Sequence, residues 1–356
     1  MTGPAVREVW IDAGRGIAVL LVVLYHAARW FGVAEWEQVN DYVSSVRMPF
    51  FFMISGMLAY RIGVAGLAGT TWRTLWDRRL RLYLWVFVIW EVIGTACYLI
   101  GFALRGSPLG FGPMLRDLLL APVRPQFELW FIWALALFCV TARLLRSLDW
   151  RWHLMVAVVP SVIALTDGFD LGNVGWNGAL KYYAFFVCGM HLREPLLRFA
   201  RTPWQARASL SLVWALLAAA VEVSGLRSVV GVYFVLCVVG ILAGVALGTF
   251  LARSAVLARI GSTTLPVYLG HTPVIILGSS LVVALTGSAA PPGMPGLLLV
   301  PAAAAAAIGL SWLTHRWTAS GPLRYLYAIP DRLGWKQERP GAEAMTLHDK
   351  PGVPDA

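Results

Sequence analysis

Residues 11–31 read IDAGRGIAVLLVVLYHAARWF, and the reading of this run decides the fold. It is an apolar segment of the length that crosses a bilayer as a helix, for which about 20 residues suffice. Two ionisable residues mark it, Arg15 and His26. Eleven positions at about 100° each make about three full turns, so both side chains share one face, roughly 16 Å apart along the axis. They are too far apart to pair with each other. They are placed to hold two ends of one long ligand. Ionisable groups inside a membrane helix are costly, so such a pair is a functional hypothesis by default.

The rest of the chain agrees with a membrane setting. Of 356 residues, 58% are hydrophobic and 13% charged, and the mean hydropathy is +0.68. Soluble domains carry about 25% charged residues, so a soluble globular class is excluded. The net charge of +10 comes almost wholly from arginine. These arginines sit in short gaps between apolar runs, which argues against a nucleic-acid partner and for cytoplasmic ends of spans. Cys97, Cys139, Cys188 and Cys237 all fall inside apolar runs and lack metal or disulfide spacing, so they read as packing residues. No small-residue cleavage site follows the first apolar run, which is expected to remain as a span.

An all-α, polytopic membrane helical bundle is therefore predicted, with about ten transmembrane helices. They fall at about 16–34, 46–63, 80–104, 127–146, 153–167, 178–192, 207–226, 229–251, 264–285 and 295–316. The fifth and sixth are short, and are expected to be tilted, broken or partly buried in protein. With the N-terminus in the cytoplasm, 22 basic residues lie inside and seven outside, and ten spans return the C-terminus to the cytoplasm. Residues 1–330 read as one membrane domain. Residues 331–356 are polar and Pro/Gly-bearing, and read as a disordered cytoplasmic tail. Gly240, Gly244 and Gly248 form a small-residue stripe, expected to pack within the chain, with homodimerisation as the alternative.

Several residues could carry chemistry. His26 is either a satisfied polar residue joining helices or a general base, since imidazole titrates near neutrality. Arg29 lies three residues on, on the same face. Arg47 and Pro49 mark the outer start of the second span, whose Ser55 reads as a packing residue or a hydrogen-bond donor, with no nucleophile elbow around it. Arg78, Arg79 and Arg81 begin the third span. They fit either the positive-inside rule or a polyphosphate site shared with Arg15, because guanidinium forks match phosphate oxygens. Glu128 opens the fourth span, placed to orient His26 or an acceptor or simply to be solvated, and Trp130 fits an aromatic belt. Tyr268 and His271 share a face of the ninth span. No metal-binding, Walker or dinucleotide motif is present.

At these residues the chain resembles the acyltransferase family 3 of bacterial membrane O-acyltransferases, over most of residues 9–275. The first span carries that family's Arg-x10-His pattern at Arg15 and His26. MPFFFMISGMLAYR is similar to its second-span segment, and DRRLRLY to its Arg-x-x-Arg segment at Arg78 and Arg81. ELWFIWALALF resembles its fourth-span tryptophan motif, with Glu128 where many relatives have His. KYYAFFVCGMHLR and GSTTLPVYLGH resemble later segments, including Tyr268 and His271.

The resemblance implies a multi-pass protein of the bacterial cytoplasmic (inner) membrane. It implies an acyl-CoA donor, acetyl-CoA above all, used as co-substrate with no tightly bound cofactor and no metal. The acceptor would be a hydroxyl of an envelope glycan or glycolipid. His26 would be catalytic; Glu128, as read from this chain's own residues, is a candidate to assist it. Arg15, Arg78 and Arg81 would serve the donor; on this chain's own residues Arg79 joins them, and Arg29, Arg47, Ser55, Trp130, Tyr268 and His271 are candidates for the substrate. On this reading a cavity open to both faces brings the thioester up to His26. The competing readings are a transporter or flippase that forms no bond, and acylation of a small molecule such as a macrolide.

Overall fold

The computed structural model describes residues 8–60, 71–289 and 296–330. The expected tail at 331–356 lies outside the described residues, which are helical with no strand. In chain order the helices are α1 (Val9–Phe31), α2 (Ala34–Ala59), α3 (Trp72–Leu104), α4 (Phe111–Leu120), α5 (Trp130–Leu144), α6 (Trp150–Ala164) and α7 (Val174–His191). They continue as α8 (Arg193–Ala200), α9 (Trp204–Ser224), α10 (Val232–Phe250), α11 (Ala255–Ser262), α12 (Thr264–Thr286) and α13 (Gly296–Trp317).

Each of the ten expected spans overlaps one of these helices. Eight are long and apolar enough to cross a membrane by length and composition: α1, α2, α3, α5 with the turn after it, α9, α10, α12 and α13. The other two are the pair expected to be irregular. Helix α6 has only 15 residues. Helix α7 has 18 but carries Asn177 and Lys181 in its first half. Much of the bundle's outer surface is aliphatic. Only 11% of the apolar stretch of α9 is buried, and Leu212, Leu216 and Val223 are bare. Such a face suits lipid rather than water.

Two helices run further than hydropathy indicates. Helix α2 begins at Ala34 and continues through the polar stretch AEWEQVNDYVSS, with Glu35 and Glu37 in its first turn, where carboxylates favour a helix N-terminus. Arg47 and Pro49 therefore do not start this helix but sit well inside it. Helix α3 begins at Trp72, and its stretch Trp76–Leu80, which carries Arg78 and Arg79, is π-helical.

Helix α1 is the hub, packed against α2, α10, α11, α12 and α13. The approach to α11 is closest: a Cβ on Gly16 would meet the carbonyl of Leu257, and one on Gly261 the carbonyl of Asp12. The glycine stripe of α10 packs inside the chain. A Cβ on Gly240 would lie 2.8 Å from Ser45 O, and one on Gly244 2.7 Å from the Phe50 ring. Ser45 O is the carbonyl that Pro49, lacking an N–H, leaves without its helical donor. One continuous apolar core runs from Trp10 to Tyr327, with Phe50, Phe52, Phe138, Phe185 and Phe186 fully buried at its centre.

Candidate functional site

One end of the bundle holds a cavity of about 1030 Å³. Its walls come from the last turns of α1, the middle of α2, the end of α3, the turn before α5, the loop before α7, the start of α7, and α12. His26, Arg29, Arg47, Glu128, Trp130 and Tyr268 all line it. Six predicted residues, remote in sequence, thus meet in one space.

His26 is half-buried, and its Nδ1 lies 3.7 Å from Glu128 Oε1. That nitrogen is shielded from solvent and has no hydrogen bond, because 3.7 Å is too long for one. The accessible part of the ring is therefore the edge bearing Nε2. The contact orients the imidazole, and such contacts tighten when a ligand binds. Glu128 is not solvated as a surface carboxylate would be. The Tyr98 hydroxyl donates to its Oε1 at 2.9 Å, and the Tyr268 hydroxyl donates to its backbone carbonyl. The turn carrying Glu128 is fixed in turn by Asn173. That side chain accepts from Gly175 N and Trp176 N, capping α7, and donates to Pro125 O at 3.0 Å. Trp176 Nε1 donates to Val123 O at 2.9 Å. Glu128 is thus positioned by α3, α7 and α12 together.

The cavity wall combines aromatic faces with polar side chains. Trp30 meets Tyr98 edge-on with centroids 5.6 Å apart, and Tyr98 stacks on Phe127 at 4.3 Å. Trp130 stacks on Tyr182 at 6.0 Å. Asp170, Asn177 and Lys181 stand in the same wall. Asp170 accepts from Asn177 Nδ2 at 2.5 Å and from Gly172 N at 2.8 Å, and these bonds hold its carboxyl below the usual carboxylate range. Arg105 also lines the cavity and is tied to α12: Nε bonds Ser280 Oγ at 2.9 Å and Nη2 bonds Ser279 Oγ at 2.7 Å. It fastens the end of α3 to α12.

Other predicted residues lie elsewhere. His271 is fully buried behind His26, with ring centroids 5.3 Å apart, and does not line the cavity. Its Nδ1 faces two carbonyls, Tyr268 O at 2.7 Å and Val267 O at 3.0 Å, so Nδ1 carries the proton. Thr272 Oγ1 then donates to Nε2 at 3.1 Å. His271 supports the site from beneath. Ser55 is also outside the cavity, its hydroxyl bonded to Phe51 O at 2.8 Å, the local back-bonding open to serine inside a helix.

The four donor-side arginines gather at the other end of α1, and none of them lines this cavity. Arg15 Nη2 donates to Thr264 Oγ1 at 2.6 Å. Arg79 bonds Leu58 O at 2.9 Å and the Tyr83 hydroxyl at 3.2 Å. Arg81 Nε bonds Asp77 O at 2.9 Å. Arg78 is exposed. Between Arg15 and His26, the α1 residues Ala18, Val19 and Val23 are packed at 0–1% exposure. The expected cavity open to both faces is therefore, in this state, a cavity whose lining stops at Val22 on α1. Residues 61–70 lie outside the described residues. Among the described residues, no three His, Cys, Asp or Glu side chains are grouped to hold a metal ion.

Sequence reasoning missed Tyr98, Asp170, Asn173, Asn177, Lys181 and Tyr182. Lys181 and Tyr182 open the family-like segment KYYAFFVCGMHLR, and the polarity of the first half of α7, unusual for a span, was the other signal available.

Comparison with known proteins bears on the family of the chain. An acyltransferase domain model, that of acyltransferase family 3, matches residues 8–316. A segment of the chain is 30% identical over 97 residues to the inner membrane protein YcfT of Escherichia coli K12, covering 23% of this chain and 26% of that protein. The match spans about a quarter of that relative's length. No solved structure matches the chain. With the family model extending over nearly all the described helices, this multi-pass membrane protein belongs to acyltransferase family 3.

Proposed function

We propose that the protein is an O-acyltransferase of the bacterial inner membrane. It moves an acyl group, acetyl in the simplest case, from cytoplasmic acyl-CoA to a hydroxyl of an envelope glycan or glycolipid. The observation that carries this reading is His26 in the wall of a 1030 Å³ cavity, with Glu128 3.7 Å behind its Nδ1. The aromatic and hydrogen-bonding wall suits a sugar, which presents apolar C–H faces and hydroxyl edges.

In the proposed reaction, His26 Nε2 takes the acceptor hydroxyl proton as that oxygen attacks the thioester carbonyl. A sugar hydroxyl is too weak an acid to be deprotonated beforehand, so transfer and attack are concerted. The C–S bond breaks, and the imidazolium returns the proton to the departing thiolate. Atoms and charge balance with no further reactant. Glu128 stabilises the imidazolium while it lasts. Base catalysis of this kind supplies about 10²–10⁴-fold in rate, and orientation of the two substrates adds to it.

The donor's phosphates are assigned to the arginine end, near Arg15, Arg78, Arg79 and Arg81. That end is roughly 16 Å from His26 along α1. The present state is open to the acceptor, and donor entry calls for parting of the side chains packed around Val19 and Val23. His26→Ala is expected to abolish acetyl transfer from acetyl-CoA while the protein still accumulates in the membrane. Mass spectrometry of envelope glycans and lipids from such a strain reads the result. An unchanged acyl pattern would end the assignment.

A further inference from the structure

The cavity carries a charge imbalance that acyl transfer to a neutral sugar does not use. Four cationic side chains line it, Arg29, Arg47, Arg105 and Lys181, against two carboxylates, Glu128 and Asp170. Both carboxylates are committed: Glu128 to Tyr98 and His26, Asp170 to Asn177 and Gly172. Arg105 is anchored through Nε and Nη2 to Ser280, Ser279 and the Trp30 carbonyl. Arg29 and Arg47 are different. Among the described residues neither forms an ion pair, and Arg47 has one long hydrogen bond, Nη1 to Asn40 Oδ1 at 3.4 Å. Its guanidinium lies over the Tyr25 ring at 4.1 Å, which fixes its plane and leaves its other N–H groups to the cavity. Arg47, half-buried at membrane depth with no carboxylate within ion-pair distance among the described residues, is costly there unless a ligand supplies the anion; Arg29, exposed at the end of α1, adds a second cation to the same space.

We infer that Arg29 and Arg47 form an anion subsite, and that the acceptor is an acidic sugar whose carboxylate or phosphate ester this pair binds. The inference rests on the cavity being the acceptor site. Geometry sets the distance of the charge from the reacting hydroxyl. Arg47 Cζ is 4.1 Å from the Tyr25 ring centroid, and that ring is 4.9 Å from His26, so at most about 9 Å separates guanidinium from imidazole. Arg29 is one helical turn beyond His26 on the same face. An anion held by both lies as far from Nε2 as an acidic group lies from a hydroxyl of the same or the adjoining sugar unit. Arginine forks bind carboxylate or phosphate through two parallel bonds, so the pair also fixes which hydroxyl faces His26.

The test uses full-length protein in detergent, with galacturonate, galactose 6-phosphate, galactose and inorganic phosphate as probes at matched ionic strength. Thermal unfolding midpoints against probe concentration give affinities, because a ligand of the folded state raises the midpoint by mass action. Galacturonate or galactose 6-phosphate is expected to bind about tenfold tighter than galactose. The preference should disappear in Arg29→Gln and in Arg47→Gln; Arg29 is exposed, so its variant tests the subsite even if the Arg47 variant folds poorly. The preference should persist in His26→Ala. Equal binding of both acidic sugars and galactose by the unaltered protein would overturn the subsite, as would a preference that survives Arg29→Gln. Inorganic phosphate binding as tightly as the acidic sugars would overturn the sugar assignment. Transfer activity retained by His26→Ala would overturn the catalytic reading alone, so the two failures are distinguishable.

Discussion

His26 Nδ1 and Glu128 Oε1 stand 3.7 Å apart, and Glu128 is held there by Tyr98 and Tyr268 rather than by His26 itself. The carboxylate is thus in place before any proton arrives. In the proposed reaction it would serve as an electrostatic partner for an imidazolium that exists only during reaction, the kind of interaction that raises turnover rather than ground-state affinity.

Glu128→Gln is accordingly expected to lower kcat for acetyl transfer by about 10²-fold, with the KM for acetyl-CoA little changed. The amide keeps the shape and the bond from Tyr98 but loses the charge. Steady-state kinetics on purified protein checks this. A rise in KM with kcat intact would instead make Glu128 an acceptor ligand.

At the opposite end of α1, Arg15 and Thr264 are 249 residues apart in sequence and 2.6 Å apart in space. Thr264→Val removes that acceptor while Asp12 stays 3.9 Å from Arg15, and is expected to cost about 0.5–1.5 kcal/mol, the usual net worth of one hydrogen bond. The thermal midpoint reads it. Arg78 contrasts with this, being exposed. Arg78→Ala should leave stability within about 0.5 kcal/mol and raise the KM for acyl-CoA about tenfold, with a smaller effect on the acceptor. Equal losses for donor and acceptor would point to a structural role for that end of α3.

The contrast shows what was legible in the sequence. Helix positions were, because apolar runs of bilayer length admit little else. So was the His26 face, since eleven residues of helix fix an angle and a distance. Glu128 was visible as a carboxylate at a span end, but its direction was not: that depends on Tyr98 and Tyr268, two hydroxyls on other helices. The start of α2 was hidden because its first turns are polar, so Arg47, expected at the outer start of the span, lies well inside the helix. His271 shares a helix with Tyr268, yet lies behind the site because its nitrogens are satisfied locally.

The α10 stripe gives a stability prediction with an internal control. A Cβ at Gly244 would lie 2.7 Å from the Phe50 ring, whereas Gly278 in α12 has open space around it. Gly244→Ala should therefore destabilise by about 1–3 kcal/mol through overpacking. Gly278→Ala should be neutral or stabilising by about 0.5–1 kcal/mol, since glycine in a helix interior carries an entropic penalty. Unfolding midpoints separate the two. A Gly244 variant that keeps its stability but changes oligomeric state would mean that the stripe serves association between chains.

Glu91 offers the sharpest test of how polar groups are managed behind the site. It lies on α3, 2% exposed, and its Oε1 has no hydrogen-bond partner. With Glu128, Tyr98, Tyr268 and Thr272 it lines a second cavity of about 20 Å³, enough for one water. A buried carboxyl so placed is a net cost, because its desolvation is not offset by a cation or a full set of donors. Glu91→Gln preserves the shape and removes the possibility of charge, and is expected to raise stability by about 1 kcal/mol. Glu91→Ala should lower it, since the vacated volume adds a cavity to one already present. Denaturation of both variants in the same detergent decides the matter. If the glutamine variant is instead less stable than the unaltered protein, the carboxylate has a partner in the working protein, and the small cavity between Glu91 and Glu128 becomes the place to look for it.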